Sequence, residues 1–373
     1  MNKKMKKTNL NSPLCDNIPE TLVMGHFLPW FTREQPTRFC IPPAYAGKII
    51  EPALEPWRHW RDCRSEYKRT HLYHPLYGEY DSRDPVIIKR QLHDAITYGI
   101  DGFIINLNGK NSAENVIGLS LLEEIKQYNE NHPEKPFLYI ISFDSKAQHA
   151  TEGKIPVSIE EDFEYLRDTW LTDAWVRNGD KPIMLIFAYN DNYEKYKTAA
   201  EKVFNTGADI VWPRLNNQYQ IKSCFCWVNP DKVYETGAWF DNEGSGAEFC
   251  SSFYQECGKN PEIEYIIGGV WPGFNDSLVR WAWDDGMCKD NMRPRIICRN
   301  TQLGNTLELT WQEAVKYISQ QQSNPEQLPP MPIIQLVTWN DWAESTSIEP
   351  DMESGYKNLE ICKKYIDIIK KED

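Results

Sequence analysis

Residues 332–339 read PIIQLVTW, and the chain goes straight on into NDWAE at 340–344. Apolar side chains occupy most of the first stretch instead of alternating with polar ones, which is the signature of a parallel strand covered on both faces. Working outward, seven earlier runs have the same character. They are Thr21–Pro29 (TLVMGHFLP), Ile100–Leu107 (IDGFIINL), Pro136–Phe143 (PFLYIISF), Pro182–Tyr189 (PIMLIFAY), Ala208–Pro213 (ADIVWP), Ser223–Val228 (SCFCWV) and Ile263–Trp271 (IEYIIGGVW). With Pro332–Trp339 they make eight strands, the eighth predicted to end at Trp339.

Amphipathic segments separate most of them. Asp84-Pro85 reads as an N-cap followed by proline at the first helical position, with Ile88, Leu92, Ala95 and Ile96 on one face before Gly99. Val116, Leu119, Leu122 and Ile125 repeat the spacing, as do Phe163, Leu166 and Trp170, then Tyr196, Ala200, Val203 and Phe204. Thr310 with Glu313 reads as a capping box leading into Val315 and Ile318, and a last helix carries Leu359, Cys362, Tyr365, Ile366 and Ile369. Strands alternating with helices predict an α/β fold, a single (β/α)₈ TIM barrel with long loops on its C-terminal face, spanning residues 20–373 behind a flexible tail at 1–19. The competing doubly wound sheet wants a GxGxxG after its first strand, and there is none.

Composition bounds the function. The formal charge of −13 argues against nucleic acid and anionic membrane surfaces, both of which need clustered Lys and Arg. No run approaches the ~20 apolar residues of a membrane span, and the basic N-terminal stretch lacks the apolar segment of a secretory signal. The ten Cys form no CxxC pair and read as reduced, mostly buried thiols, so a cytoplasmic location is expected. Fourteen Trp and nineteen Tyr in a polar chain suit a sugar ligand, because a pyranose presents an apolar C–H face to an aromatic ring.

In a barrel the reactive groups stand at the C-terminal ends of the strands. Those positions hold Trp30, Asn106, Asp144, Tyr189, Asn190, Trp271, Asp276, Trp339, Asn340 and Trp342 as candidate substrate contacts, with Asp341 and Glu344 among them. In an extended chain those two acids would face opposite ways, whereas in a helical turn their i, i+3 spacing brings them to one side. Two carboxyl groups sharing a shielded pocket push one pKa up, which is the acid-plus-carboxylate requirement of glycosidic bond cleavage. The plainer alternative is a helix start whose acids answer the dipole. Glu349 either orders the loop behind Asp341 or is exposed. His71 and His74 lack partners at zinc-ligand spacing and no GxSxG elbow occurs, so neither metal nor cofactor is expected.

The segment TWNDWAESTSIEP (338–350) resembles the end-of-barrel motif of glycoside hydrolase family 99, the endo-α-mannosidases, typically WNEWHEGTxIEP. It is equally similar to the WNDYGESHYI of family 71, the α-1,3-glucanases. YGEYDSRDP (77–85), followed by GIDGFII, resembles the GPYSSRDP lead of family 99, and PGFNDSLVR (272–280) resembles its PGYDDTxxR loop. The resemblance implies a glycosidase acting on an oligosaccharide or polysaccharide of α-mannan or α-glucan type, with Glu344 as general acid and Asp341 as its partner. Asp341 stands where family 99 has Glu, Ala343 where it has His, and Ser345 where it has Gly. Two other functions compete: a carbohydrate-binding barrel without catalysis, and a glycosyltransferase of polysaccharide assembly. The strand-end rule further places both acids in the largest cleft, beside Trp30 and Trp271.

Overall fold

All eight apolar runs overlap strands of one curled, parallel sheet. A computed structural model describes residues 20–33, 57–61, 69–144, 157–187, 192–213, 221–229, 245–279 and 296–371, and the N-terminal segment 1–19 lies outside them. The strands are β1 (Leu22–Phe27), β2 (Gly102–Leu107), β3 (Leu138–Asp144), β4 (Lys181–Phe187), β5 (Asp209–Val211), β6 (Ser223–Phe225), β7 (Tyr265–Val270) and β8 (Ile333–Leu336). Hydrogen bonding runs β5-β4-β3-β2-β1-β8-β7-β6, every pair parallel. Just past β5, Trp212 makes a parallel bridge to Cys224 of β6. Its amide donates to Ser223 O at 3.1 Å and its carbonyl accepts from Phe225 N at 2.8 Å.

Successive side chains of a strand face opposite ways, so each strand serves two cores. One is a small cluster to which every strand contributes: Met24, Ile104, Ile140, Ile183, Leu185, Val211, Phe225, Tyr265, Ile267 and Ile333. A flat sheet cannot bring all its strands to one such cluster, so the sheet must wrap around it. The alternate residues, such as Val23, Phe103, Ile105 and Ile141, join the larger core under the helices.

Those helices are α1 (Pro85–Thr97), α2 (Ala113–Asn131), α3 (Ile159–Trp170), α4 (Tyr193–Val203), α5 (Ala247–Lys259), α6 (Thr306–Ser323) and α7 (Lys357–Lys370). Asp84 caps α1 as its sequence predicts, accepting from Val86 N with Pro85 in the first turn. Ser158 and Glu161 form a full capping box on α3. The sequence places the start of α6 too late. Asn305 is the cap, accepting from Leu307 N and Glu308 N, and Thr310 lies inside the helix with its hydroxyl bonded back to Thr306 O and Leu307 O. No helix of the described residues is long and apolar enough to cross a membrane.

β8 ends at Leu336 and not, as the sequence predicts, at Trp339. The reason is a change of partner. Val337 N still donates to Val270 O and Trp339 N to His26 O, both at 2.8 Å, but Thr338 N between them donates to Thr346 O at 2.9 Å. The chain has begun to pair with its own returning arm, and that departure builds the site.

Gly102 opens β2 where a Cβ would sit 2.3 Å from Leu138 O on the neighbouring strand. A backbone atom at that distance cannot be displaced without parting β2 from β3. Gly102→Ala should therefore lower the melting temperature sharply or abolish soluble expression, as read by thermal unfolding beside the wild type. A melting temperature within a degree or so of wild type would show that this strand contact is looser than described.

Candidate active site

Beyond β8, Asn340 replaces the strand ladder with its side chain. Its Oδ1 accepts from Leu28 N at 2.8 Å and its Nδ2 donates to Leu28 O at 3.1 Å, pinning the chain to the end of β1. Asp341 follows, its N–H donating to Thr338 Oγ1 at 2.7 Å. Residues 342–345 form a turn that the Asp341 carboxylate caps: Oδ1 accepts from Glu344 N at 2.8 Å. The acid thus caps a turn, and its bond to Glu344 runs to that residue's backbone amide. Ser345 completes the turn at φ +59°, in the left-handed region that favours glycine. The returning arm is tied down by Thr346 N to Asp341 O at 3.1 Å.

Burial sets the electrostatics. Asp341 is 3% exposed, and desolvation pushes its carboxyl up to about 7, although hydrogen bonds from the Glu344 and Ala343 amides pull the other way. Glu344 is half-buried. Glu349, on the returning arm, is fully buried and likewise pushed up to about 7 by desolvation. It accepts from Tyr80 Oη at 2.7 Å, Gln91 Nε2 at 2.8 Å and Trp342 Nε1 at 3.1 Å. Of its two sequence readings, ordering the loop fits and exposure does not.

The other candidates divide. Asp276 is gathered in through its neighbour, because Asn275 N donates to Glu344 O at 2.7 Å and Ser345 Oγ donates to Asn275 O at 3.2 Å. Trp30 lies two residues past Leu28, partly exposed, with its ring stacked on His59 at 4.2 Å and 15°. Asn106 and Asp144 stand at the ends of neighbouring strands, β2 and β3. Asn106 shares His26 with Gln335, and burial lowers that imidazole to about 4, so it is neutral near pH 7. Tyr189 and Asn190 lie outside the described residues.

Three candidate tryptophans are fully buried and do packing work. Trp271 donates from Nε1 to Ser245 O at 3.0 Å and fills the space beside Gly246. Trp339 packs on Phe103 with centroids 5.1 Å apart. Trp342 belongs to a cluster with Phe31, Trp60, Tyr80 and Ile87. Sequence reasoning missed Tyr80 and Gln91, although both sit in or just after the 77–85 motif. A surface groove lined in part by Tyr77, Asp94, Tyr98 and Tyr356 includes neither Asp341 nor Glu344. Among the described residues no group of three His, Cys, Asp or Glu side chains is placed to hold a metal ion.

The fold is similar to that of the GH99 endo-alpha-mannosidase from Bacteroides thetaiotaomicron, at 15% identity over 94% of this chain and 97% of that one. The TM-scores are 0.60 and, for its complex with BIS-TRIS-Propane, 0.59. It is also similar to a glycoside hydrolase-like protein at 14% identity, covering 98% of this chain and 97% of the other, with a TM-score of 0.58. At such identities the likeness is one of fold. No protein-family profile and no curated relative matches the sequence.

The raised carboxyl predicts a stability change with a definite sign. Folding holds the Asp341 proton more tightly than the unfolded chain does. Its contribution is therefore fully present below about pH 4 and is lost as pH rises through about 7. Asp341→Asn keeps the Oδ1 acceptor and removes the titration. It should raise the melting temperature near pH 8, with the gap closing toward pH 4. A variant less stable than wild type at the higher pH contradicts this assignment.

Proposed function

We propose that this chain is a glycoside hydrolase that cleaves α-linked glycans of mannan or glucan type, with Glu344 as general acid and Asp341 as its carboxylate partner. The observation that carries the reading is a buried carboxyl at about 7, capping the turn that presents a second, half-buried carboxyl three residues on. A base whose pKa lies near the working pH combines a useful deprotonated fraction with real basicity. In the proposed step Glu344 gives its proton to the leaving glycosidic oxygen. Asp341 draws a proton from the oxygen that attacks the anomeric carbon, whether that belongs to water or to the sugar's own 2-hydroxyl.

Support for the substrate class comes from two directions. The 338–350 segment combines features of families 99 and 71, and one structural neighbour is an endo-alpha-mannosidase by name. We further read the curled sheet as a closed (β/α)₈ barrel. The Trp212–Cys224 bridge between β5 and β6, the two ends of the strand order, supports that reading, and closure would put all eight strand ends around one opening.

Kinetics of two variants test the roles. Glu344→Gln should lower turnover of unactivated oligosaccharides by ~10²–10⁴-fold while sparing aryl or fluoride glycosides, whose leaving groups need little protonation. Asp341→Asn should impair both substrate kinds alike. Rescue of Asp341→Asn by activated substrates, with Glu344→Gln left inert, would reverse the roles. Release of no reducing sugar from any α-mannan or α-glucan by the wild type would sink the reading.

A further inference from the structure

Glu349 is a buried carboxylate whose hydrogen-bond donors are all neutral: a phenol, a carboxamide and an indole. Three such donors offset only part of the cost of burying a charge, and for folding alone an apolar side chain would serve as well or better. The placement of the donors suggests what the carboxylate gains. Oε2 holds Trp342 directly, and it holds Tyr80, whose hydroxyl also accepts from Asn340 Nδ2 at 3.3 Å. Asn340 and Trp342 flank Asp341. Gln91, on α1, fixes the remaining oxygen, and Glu349 N donates to Trp339 O at 2.9 Å.

We propose that Glu349 is a positioning residue. It clamps the side chains on both sides of Asp341, one directly and one through Tyr80, and so holds the Asp341 carboxyl in place against Glu344. The catalytic meaning of this clamp rests on the reading of Asp341 and Glu344 as the reacting pair. The clamp needs the shape of the carboxylate and its acceptors more than its charge. Among the described residues Gln91 Oε1 has no hydrogen-bond partner, so that amide can turn over and accept from a glutamine amide at position 349, while the remaining carbonyl oxygen still serves Tyr80 and Trp342.

Glu349→Ala and Glu349→Gln in the full chain separate shape from charge. On an aryl α-glycoside that the wild type cleaves, Glu349→Ala should lower kcat by ~10²-fold, the scale of a reacting group displaced by about an ångström. KM should stay within about twofold, and Glu349→Gln should recover most of kcat. An unchanged kcat in Glu349→Ala overturns the clamp, as does a Glu349→Gln variant equally impaired. Crystal structures of both variants give a readout independent of activity. The Trp342 ring and Asp341 carboxyl should shift in Glu349→Ala and superimpose on wild type in Glu349→Gln. A Glu349→Ala structure with residues 340–344 unmoved rejects the proposal. If the wild type cleaves no glycan, the functional reading fails while the crystal comparison still decides the clamp. Should Glu349→Ala not fold, Tyr80→Phe carries the same test, with kcat falling about tenfold at unchanged KM for the lost hydroxyl that joins Glu349 to Asn340. An unchanged kcat and an unmoved turn in Tyr80→Phe would likewise overturn it.

Discussion

One side chain lets the last strand stop without letting go of the first. Asn340 gives Leu28 both an acceptor and a donor, at 2.8 and 3.1 Å, as a further strand residue would have done with its backbone. Each such bond contributes on the order of 1 kcal/mol net, but a buried Leu28 amide left unpaired would cost more than that. The substitution frees the backbone at 340 to turn while the strand ends stay joined. Everything chemical at the site hangs from that turn: the depth of Asp341, the placing of Glu344, and the approach of the 273–279 loop through Asn275.

Depth is what lifts the Asp341 carboxyl, and it has a cost. The same desolvation that lifts its carboxyl to about 7 makes the ionised form unwelcome in the folded state. Two amide donors relieve this in part. Glu349 adds a second buried carboxyl under the same constraint, satisfied by three neutral donors brought from the 77–85 lead, from α1 and from the turn itself. Under the proposed function, two buried acids within one short arm mark a place where stability and activity pull apart.

Much of this was legible in the sequence because it follows local rules. Near-continuous apolar runs mark which segments are strands, and every one of the eight overlaps its strand. Asp84-Pro85 announces α1, and Asp341 with Glu344 announces a turn. What was hidden depends on partners far along the chain. Gln91 and Glu349 meet across 258 positions, and no spacing rule reports that. The start of α6 was misjudged because Thr310 and Glu313 satisfy the capping pattern, while Asn305, five residues before that expected cap, has the free amides to cap. Tryptophans were ambiguous for another reason. A ring that stacks on sugar and a ring that fills a core are the same residue, and only burial separates half-exposed Trp30 from enclosed Trp271, Trp339 and Trp342.

The most direct test is a crystal structure of the Glu344→Gln protein soaked with an uncut α-linked oligosaccharide. The account predicts a glycosidic oxygen within about 3 Å of the side chain at 344, with the adjoining anomeric carbon facing Asp341. A sugar bound only elsewhere, such as the groove beside Tyr98 and Tyr356, with the Asp341 turn unvisited, would contradict it.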